Sequence, residues 1–424
     1  MTAQRVEVDQ IWGNDEETQV FAHAHDGENS DETFEERAVM RMALSDAIHQ
    51  AWPYCLHATT APDAIIELDV DTKGRTDWRL QYESKLYQSY LQALSPANAV
   101  LGSVTARHRY KYVDSRDLNF VRPLPGRGTS AVVRQASADN SQSLYVLKGL
   151  DFGDFLASQD DFLDERDIFY HAIKTVSLMP PHPNILSPPN IIAVAGDPRD
   201  EDQAPLCGTL YPFMARGTLD DQVLRCKEAG IRIELQEKAL WCLQLSSALA
   251  HTHHTAHTYH MDIKPANVLV DDNGNAILID WEQCGAPLCT LAPEANGDWD
   301  VDEIQQPGAP SKLVYKKYHG KAQVNRPRGR PTWDVFPEWS KRWPRACEAA
   351  EVFSLGRTMW MLLQEVPQGD VQDLDPENII VGWSEDADDI PEAWKAVVMG
   401  CLERDPNKRI GLTDLVRFWE RQQT

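Results

Sequence analysis

The middle of the chain alternates short apolar runs with turn-forming residues. Residues 118–135 predict two strands joined by a glycine-containing turn, and residues 143–150 predict a third short strand. Two further apolar runs lie at residues 191–195 and 206–213. This part of the chain, about a hundred residues long, is therefore expected to be rich in strands.

Helical patterning surrounds and follows these strands. Residues 160–178 place apolar side chains at the spacing of an amphipathic helix, and from residue 233 onward the pattern is mostly helical. A strand-rich half followed by a helix-rich half predicts two lobes with a cleft between them.

Before residue 118 the pattern is weaker. Residues 64–70 predict a strand, residues 77–94 an amphipathic helix, and residues 34–52 fit a helix. Residues 1–37 hold 11 acidic and two basic residues, a local charge of −9, with few large apolar side chains. We therefore expect a disordered acidic tail over residues 1–37 and an N-terminal extension of unknown role over residues 38–117.

Composition narrows the classes of function. The chain has 424 residues, 42% hydrophobic and 25% charged, which excludes wholesale disorder. Its 65 acidic residues outnumber 41 lysines and arginines, and the resulting charge of −24 opposes binding to nucleic acid. No apolar run approaches the ~18 residues that span a bilayer, the N-terminus lacks the order of a signal peptide, and the eight cysteines include no C-x-x-C pair. We expect a protein of the cytoplasm, or of the nucleus, that binds neither nucleic acid nor membrane; its oligomeric state is left open.

Residues 262–280 carry a chemical pattern. Two apolar runs flank an Asp-Asn-Gly turn and predict a tight hairpin over residues 268–280. Because a hairpin brings its ends together, Asn267 and Asp280 can offer a carbonyl oxygen and a carboxylate to one Mg²⁺ ion. Asp262 can accept a proton from an attacking hydroxyl, and Lys264 can neutralise charge on a transferring phosphoryl group. Singly, such residues cap local backbone; their combination indicates phosphoryl transfer.

The segment from His260 to Asn267 reads H-x-D-x-K-P-x-N and resembles the catalytic loop of the eukaryotic protein kinases. Lys264 within it resembles the serine/threonine branch. The resemblance covers residues 118–419, about 70% of the chain. It implies an α+β, bilobal protein kinase-like fold, with a strand-rich N-lobe and a helical C-lobe after an N-terminal extension, and it implies ATP and Mg²⁺ as cofactors. In the C-terminal half, IDWEQ and FPEW look like a fungal group of protein kinase-like proteins.

The resemblance assigns a phosphate-binding loop to the first predicted turn. Gly126, Gly128, Ala131 and Val133 stand where the family has G-x-G-x-x-G-x-V. Glycines in a strand turn are weak evidence alone, but this turn precedes the expected strand.

Lys148 in YVLK resembles the lysine that holds the α- and β-phosphates, and Glu165 resembles the helix glutamate that pairs with it. Asp161 and Asp164 are rivals to Glu165. We prefer Glu165 because its neighbours lie on the apolar face of the predicted helix.

Residues 210–219 resemble the hinge that joins the lobes and binds adenine through main-chain groups. Pro212 would offer its C=O and Met214 its N–H, so the missing donor of proline is no obstacle. The expected kinase-like domain, residues 118–424, then divides into an N-lobe at about 118–211, a hinge at 212–217 and a C-lobe at 218–424.

Two segments compete for the A-P-E motif, whose glutamate pairs with a distal arginine in this family. Glu294 belongs to a literal A-P-E and Glu338 to F-P-E. Glu338 lies 13 residues before Glu351 and 71 before Arg409, whereas Glu294 lies 57 and 115 residues before them. Since the family spacing to the central helix is short, we assign the pair to Glu338 and Arg409, which makes the preceding segment unusually long.

Residues 311–330 carry seven lysines or arginines and no acid. This run reads either as a solvated loop or as a contact for acidic residues, from the chain's own tail or near the target site of a protein substrate.

Five histidines between residues 251 and 260 suggest a metal site. We do not assign one, because no cluster of cysteine or aspartate ligands follows at zinc spacing and His260 belongs to the catalytic loop.

Departures from the family pattern leave alternatives. Met261 replaces the arginine that receives an activating phosphate, Trp281 and Glu282 follow Asp280 in place of Phe and Gly, and Glu351 replaces an aspartate. The first interpretation is a serine/threonine kinase. A pseudokinase scaffold without turnover and a small-molecule phosphotransferase are the alternatives.

Overall fold

The computed structural model describes residues 5–9, 21–24, 65–70, 76–81, 85–102, 109–124, 129–135, 143–150, 152–200, 202–306, 308–319, 335–374, 376–384 and 387–423. Gly126, Gly128 and the helix expected over residues 34–52 lie outside these residues, as does most of the acidic segment. Within the described residues, no helix is both long enough and apolar enough to cross a membrane.

The chain divides into two compact units. The first comprises Met1–Gly102, Arg109–Phe162 and Asn190–Pro212, and the second comprises Ser103–His108, Leu163–Pro189 and Phe213–Thr424.

The first unit is built mainly from strands. They are β1 (Arg5–Asp9), β2 (Phe21–Ala24), β3 (Ile65–Val70), β4 (Thr76–Gln81), β5 (Lys111–Asp114), β6 (Leu118–Pro123), β7 (Thr129–Gln135), β8 (Leu144–Gly149), β9 (Ile191–Val194) and β10 (Leu206–Pro212). The accompanying helices are α1 (Lys85–Ala93), α2 (Ala97–Leu101), α3 (Phe152–Ala157) and the first residues of α4 (Gln159–Leu178).

A six-stranded sheet has the order β5-β9-β10-β8-β7-β6. Neighbouring strands are antiparallel except β5 and β9, which are parallel. Residues 206–210 of β10 are buried one after another, as expected for a central strand covered on both faces. The sheet begins before residue 118, because β5 supplies one of its edges.

The acidic segment and the N-terminal extension together supply a second sheet, of order β2-β1-β3-β4. The strand predicted over residues 64–70 is confirmed as β3. The helix predicted over residues 77–94 is wrong in its first part, since residues 76–81 form β4 and pair with β3, and only residues 85–93 are helical. The period-2 placement of Trp78 and Leu80 is what a strand requires. β1 and β2 lie within the acidic segment that was expected to be disordered.

Aromatic side chains join α1 to the elements that follow β8. Tyr90 packs against Phe152, Phe155 and Phe162 with ring centroids 5.4 to 5.8 Å apart. The Tyr90 hydroxyl donates to the main-chain oxygen of Leu150 at 2.7 Å, which satisfies its polar atom in a buried setting. Tyr90 and Leu94 on or next to α1, and Val100 and Leu101 on α2, are buried, so both helices contribute to the first unit's core.

The second unit is mainly helical. Its elements are α5 (Leu219–Ala229), α6 (Leu235–His254), β11 (Val268–Val270), β12 (Ala276–Leu278), β13 (Trp299–Gln306), β14 (Ala309–Lys317), α7 (Phe336–Arg342), α8 (Pro344–Gln364), α9 (Glu392–Cys401) and α10 (Leu412–Glu420). This sequence of a strand-rich part and then a helical part confirms the predicted α+β order.

The central helix is α8, in which every residue from Ala349 to Leu363 is buried. A helix buried all round packs against neighbours on every side. Gly356 permits one close approach, since a Cβ there would lie 2.6 Å from the Cβ of Cys401 on α9.

Glu294 contradicts the assignment of the A-P-E pair to Glu338. Both guanidinium nitrogens Nη1 and Nη2 of Arg409 bond the carboxylate of Glu294, with Nη2 to Oε2 at 2.8 Å, and both side chains are buried. Glu338 instead pairs with Arg342, one turn along α7, on the surface. The choice of Glu338 was wrong because the extra residues follow the glutamate and do not precede it.

The described residues of this insertion include the β13–β14 hairpin. Val301 and Leu313 lie in the core of the second unit, and the Leu313 main chain exchanges two hydrogen bonds of 2.8 and 2.9 Å with the side chain of Asn407. The insertion therefore separates Glu294 from α8 along the sequence without separating them in space.

Replacing Glu294 by Gln should lower the free energy of unfolding by about 3–5 kcal/mol, because it leaves the Arg409 charge buried and unpaired. Urea unfolding monitored by tryptophan fluorescence measures this loss. The matched control, Glu338→Gln, should change it by less than about 1 kcal/mol, since that ion pair is exposed. A larger loss for Glu338→Gln than for Glu294→Gln would restore the original assignment.

Candidate active site

Asp262, Lys264 and Asn267 form one hydrogen-bonded cluster. Oδ2 of Asp262 accepts from Lys264 Nζ at 2.7 Å and from Asn267 Nδ2 at 2.7 Å. Asn267 Nδ2 also donates to the main-chain oxygen of Asp262 at 2.9 Å. Oδ1 of Asp262 is buried and makes no hydrogen bond within the described part of the chain. One oxygen of this carboxylate is held while the other is left for a further donor.

The predicted hairpin is confirmed as β11 and β12, with Val268 opposite Leu278. The hairpin brings Asn267 and Ile279 together, since the Ile279 N–H donates to the Asn267 main-chain oxygen at 3.0 Å. Asp280 is the next residue, and its φ of 72° turns the chain out of the strand. The two residues predicted to share a metal are therefore adjacent at the end of this hairpin.

The segment HPNIL, residues 182–186, supports β12 from the other side. Asn184 accepts from the Leu278 N–H at 2.9 Å and donates through Nδ2 to the Ala276 main-chain oxygen at 2.9 Å. His182 Nδ1 accepts from the Asn184 N–H at 3.1 Å. Burial, together with the neighbouring His251 ring, lowers the pKa of His182 to about 4, which keeps that nitrogen an acceptor.

His260 connects the catalytic loop to the strand before Asp280. Its Nε2 lies 2.7 Å from the Ile279 main-chain oxygen, and its Nδ1 accepts from the Asp262 N–H at 3.2 Å. These partners fix Nε2 as the protonated nitrogen. The buried ring of Trp281 meets His260 edge to face, with centroids 4.6 Å apart. Trp281, a departure from the family pattern, thus packs on the loop.

Glu351, on α8, holds the loop from below. Its Oε1 accepts from the main-chain N–H groups of His260, at 2.8 Å, and Met261, at 2.5 Å. Met261 has φ of 75°, a left-handed conformation that costs a non-glycine residue roughly 1–2 kcal/mol. The two hydrogen bonds that the fully buried carboxylate accepts offset this cost. They hold the main chain of the loop in the conformation that Met261 adopts.

Gln368 and Asp220 are loop supports that sequence reasoning missed. The Ala266 N–H donates to Gln368 Oε1 at 3.0 Å, and the Gln368 N–H donates to Asp220 Oδ1 at 2.7 Å. Burial raises the pKa of Asp220. Neither residue belongs to a sequence pattern, and each lies far along the chain from the loop it supports, so no local signal identifies them.

The segment from Asp280 to Glu294 is short and packed. Thr290 is fully buried, and burial raises the pKa of the Cys289 thiol to about 11. Gln283, with φ of 53°, donates to Thr258 Oγ1 at 3.0 Å and to the main-chain oxygen of Tyr259. Because Glu294 forms the pair with Arg409, this segment runs only 14 residues past Asp280, where 58 were expected.

Three of the predicted nucleotide-binding residues lie on strands of the six-stranded sheet. Lys148 is on β8, opposite Ser130 of β7 and Thr209 of β10. Ala131 and Val133, on β7, are buried.

Pro212 ends β10 in the first unit and Met214 follows it in the second, while Glu165 lies on the part of α4 that belongs to the second unit. The pairing of Lys148 with Glu165 and the adenine contacts of the hinge stay predictions.

Comparison with known proteins agrees with this geometry. Residues 121–286 match the family model described as protein kinase domain, which spans the six-stranded sheet from β6 and the whole catalytic loop and hairpin. Together with the strand-rich and helical units, this match over residues 121–286 shows a protein kinase-like fold.

Three relatives share short stretches with the chain. Human serine/threonine-protein kinase 16 is 32% identical over 99 residues, 23% of this chain and 30% of that protein. Rice cyclin-dependent kinase C-1 is 26% identical over 163 residues, 37% and 29% of the two chains. The Arabidopsis G-type lectin S-receptor-like serine/threonine-protein kinase SD2-5 is 33% identical over 73 residues, 17% and 9%. The matches span less than a third of each relative.

Proposed function

We propose that this protein transfers the γ-phosphoryl group of ATP to serine or threonine hydroxyls of protein substrates. The observation that carries the proposal is the carboxylate of Asp262, with one oxygen held by Lys264 and Asn267 and the other buried without a partner among the described residues. The relatives named as serine/threonine kinases support the same substrate class.

Asp262 would act as the catalytic base. Its Oδ1 is the atom that can accept the hydroxyl hydrogen of a substrate, because Oδ2 is already saturated by two donors. Lys264, 2.7 Å from Oδ2, carries a positive charge at the same place and would stabilise negative charge that develops on the transferring phosphoryl group. Positioning and charge stabilisation of this kind account for most of the catalysis in phosphoryl transfer.

Asn267 and Asp280 would hold Mg²⁺. Both hydrogen bonds of the Asn267 amide are made by Nδ2, which leaves its carbonyl oxygen as the ligand atom, and Asp280 adds a carboxylate. Oxygen ligands of this type fit a hard divalent cation. Mg²⁺ would neutralise charge on the phosphates of ATP.

The first unit would supply the nucleotide contacts. Lys148 would hold the α- and β-phosphates and pair with Glu165, and the loop that contains Gly126 and Gly128 would cover the phosphates. Ala131 and Val133, and the main chain of Pro212 and Met214, would contact the adenosine moiety.

A nucleotide-binding scaffold without turnover is the second candidate. The observation in its favour is Trp281, which is buried against His260 where the family has a flexible D-F-G segment. We nevertheless prefer catalysis, because each position that the family pattern requires for catalysis holds a residue with the necessary chemical group.

An acidic preference near the target site would rest on the basic residues 311–330. The described part of this run is partly neutralised, since Lys316 on β14 pairs with Asp302 on β13 at 2.8 Å. The placement in a fungal group, and in the cytoplasm or nucleus, is likewise a proposal from the sequence motifs and composition.

Asp262→Asn should reduce phosphoryl transfer by roughly 10²–10⁴-fold, because it removes the base without changing the size of the side chain. Radiolabel transfer from ATP to generic protein substrates measures the rate. The matched control is Asp272→Asn, an exposed aspartate in the β11–β12 turn, which should keep wild-type activity. Equal activity of Asp262→Asn and the wild type would refute the base assignment, and an inactive wild type would favour the scaffold.

Asp280→Asn should weaken nucleotide binding in the presence of Mg²⁺ and leave binding in its absence nearly unchanged, because the variant loses a charged oxygen ligand. Calorimetric titration with ATP, with Mg²⁺ and with a chelator, gives the two affinities. The metal assignment fails if the variant keeps the wild-type difference between them.

Activity should not require phosphorylation of Thr290, Ser311 or Thr332. Met261 offers no positive charge to a phosphate, and Thr290 is buried in a segment that is already ordered by side-chain contacts. Protein expressed in a host that has no kinase able to phosphorylate these residues, and then treated with phosphatase, should retain most of its activity in the radiolabel assay. Loss of most activity on dephosphorylation would contradict this expectation.

A further inference from the structure

Glu351 has a second partner that the catalytic loop does not supply. Its Oε2 lies 2.7 Å from Nε2 of His253, which is on the last turn of α6. The Glu351 side chain is fully buried, and only 6% of the His253 side chain is exposed. The two oxygens of one carboxylate are thus divided, with Oε1 facing the loop and Oε2 facing α6.

The contacts form a continuous line from α6 to the catalytic base. His253 bonds Glu351, Glu351 bonds the N–H groups of His260 and Met261, and Asp262 is the next residue. Met261 is the strained residue in this line, with φ of 75°. The orientation of the Glu351 carboxylate therefore affects the backbone that presents Asp262.

The length of Glu351 makes this line possible. A glutamate is longer than an aspartate by one methylene, about 1.5 Å. Oε1 is 2.8 Å from the His260 nitrogen and Oε2 is 2.7 Å from His253 Nε2. An aspartate side chain, shorter by that amount, would be too far from either the loop or His253 for a hydrogen bond.

We propose that His253 is a positioning residue, which orients Glu351 and through it holds the left-handed backbone of Met261 and the carboxylate of Asp262. Its effect on rate rests on the proposed kinase function. Its effect on the conformation of the loop does not, and can be measured on an inactive protein.

A metal site is the competing interpretation of the same residues. Ligand atoms of His253, Cys347 and Glu351 lie within 4.8 Å of one another, and Cys347 and Glu351 are one turn apart on α8. Bonds of about 2.0–2.2 Å in a tetrahedral zinc site would place the nitrogen and oxygen ligands roughly 3.4 Å apart. The observed 2.7 Å is a direct hydrogen bond, which favours the positioning role.

Hydrogen exchange of the His260 and Met261 amides, followed by NMR, is the first test. His253→Ala should speed their exchange by roughly tenfold, because a buried carboxylate oxygen loses its donor and the carboxylate is free to turn. His253→Gln, which keeps an N–H at similar reach, should restore most of the protection. The matched control is His254→Ala, whose partner Glu348 is partly exposed and which should leave both amides unchanged.

Kinetics and a double-mutant cycle complete the test. In an active enzyme, His253→Ala should lower kcat by roughly tenfold and leave KM for ATP within about twofold, since the first unit's nucleotide contacts are untouched. In a Glu351→Asp background, His253→Ala should add little to either readout, because the two residues act through one contact.

Each outcome decides the proposal. Wild-type amide exchange in a folded His253→Ala protein would overturn it, and so would full additivity with Glu351→Asp. If His253→Ala does not fold, His253→Leu, which fills the space but offers no N–H, takes its place in the exchange measurement and in the cycle. Bound zinc in the purified wild type, lost on Cys347→Ser together with amide protection, would establish the metal site instead. Wild-type protein without kinase activity but with the predicted exchange pattern would refute the proposed function and leave the positioning role intact.

Discussion

Glu351 places a negative charge at the centre of α8, where no water reaches it, and a charge in that position is tolerated only when donors surround it. Two of its donors are main-chain N–H groups of the catalytic loop. The loop therefore supplies hydrogen-bond donors to the buried carboxylate of α8, and that carboxylate holds the main chain of the loop in place. Because α8 is buried along almost its whole length, this carboxylate has little freedom to move. Its hydrogen bond to the Met261 N–H also restricts the main chain of Asp262, the next residue.

Local spacing was enough to predict which residues of the loop lie together. Asp262, Lys264 and Asn267 lie within one turn-and-hairpin unit, so their separation in the sequence translates directly into contact. The Asp-Asn-Gly turn fixed the hairpin, and the hairpin brought Asp280 next to Asn267. The order of strands and helices followed from periodicity in the same way. These are all features that a few consecutive residues determine.

The rest depends on contacts between residues that are far apart in the sequence. The choice of Glu338 rested on distance along the sequence and was wrong. The β13–β14 hairpin is inserted after Glu294 and packs into the core. Glu294 and Arg409 are therefore 115 residues apart in the sequence and yet in contact. Gln368 accepts a hydrogen bond from the loop at Ala266, and Asp220 in turn accepts one from Gln368. No sequence pattern indicates either contact. The helix expected over residues 77–94 failed for a related reason, because pairing with β3 overrode the local helical pattern.

The insertion follows Glu294, so the segment between Asp280 and Glu294 is short. Thirteen residues lie between Asp280 and Glu294. They include a buried threonine, a buried cysteine thiol and a glutamine whose side chain donates to Thr258 and Tyr259. Packing holds this segment in place, and it includes the edge-to-face contact of Trp281 with His260. Among the described residues that contact the loop, Glu351 on α8 joins His253 of α6 to the main chain just before Asp262, so two helices and the loop meet at one carboxylate.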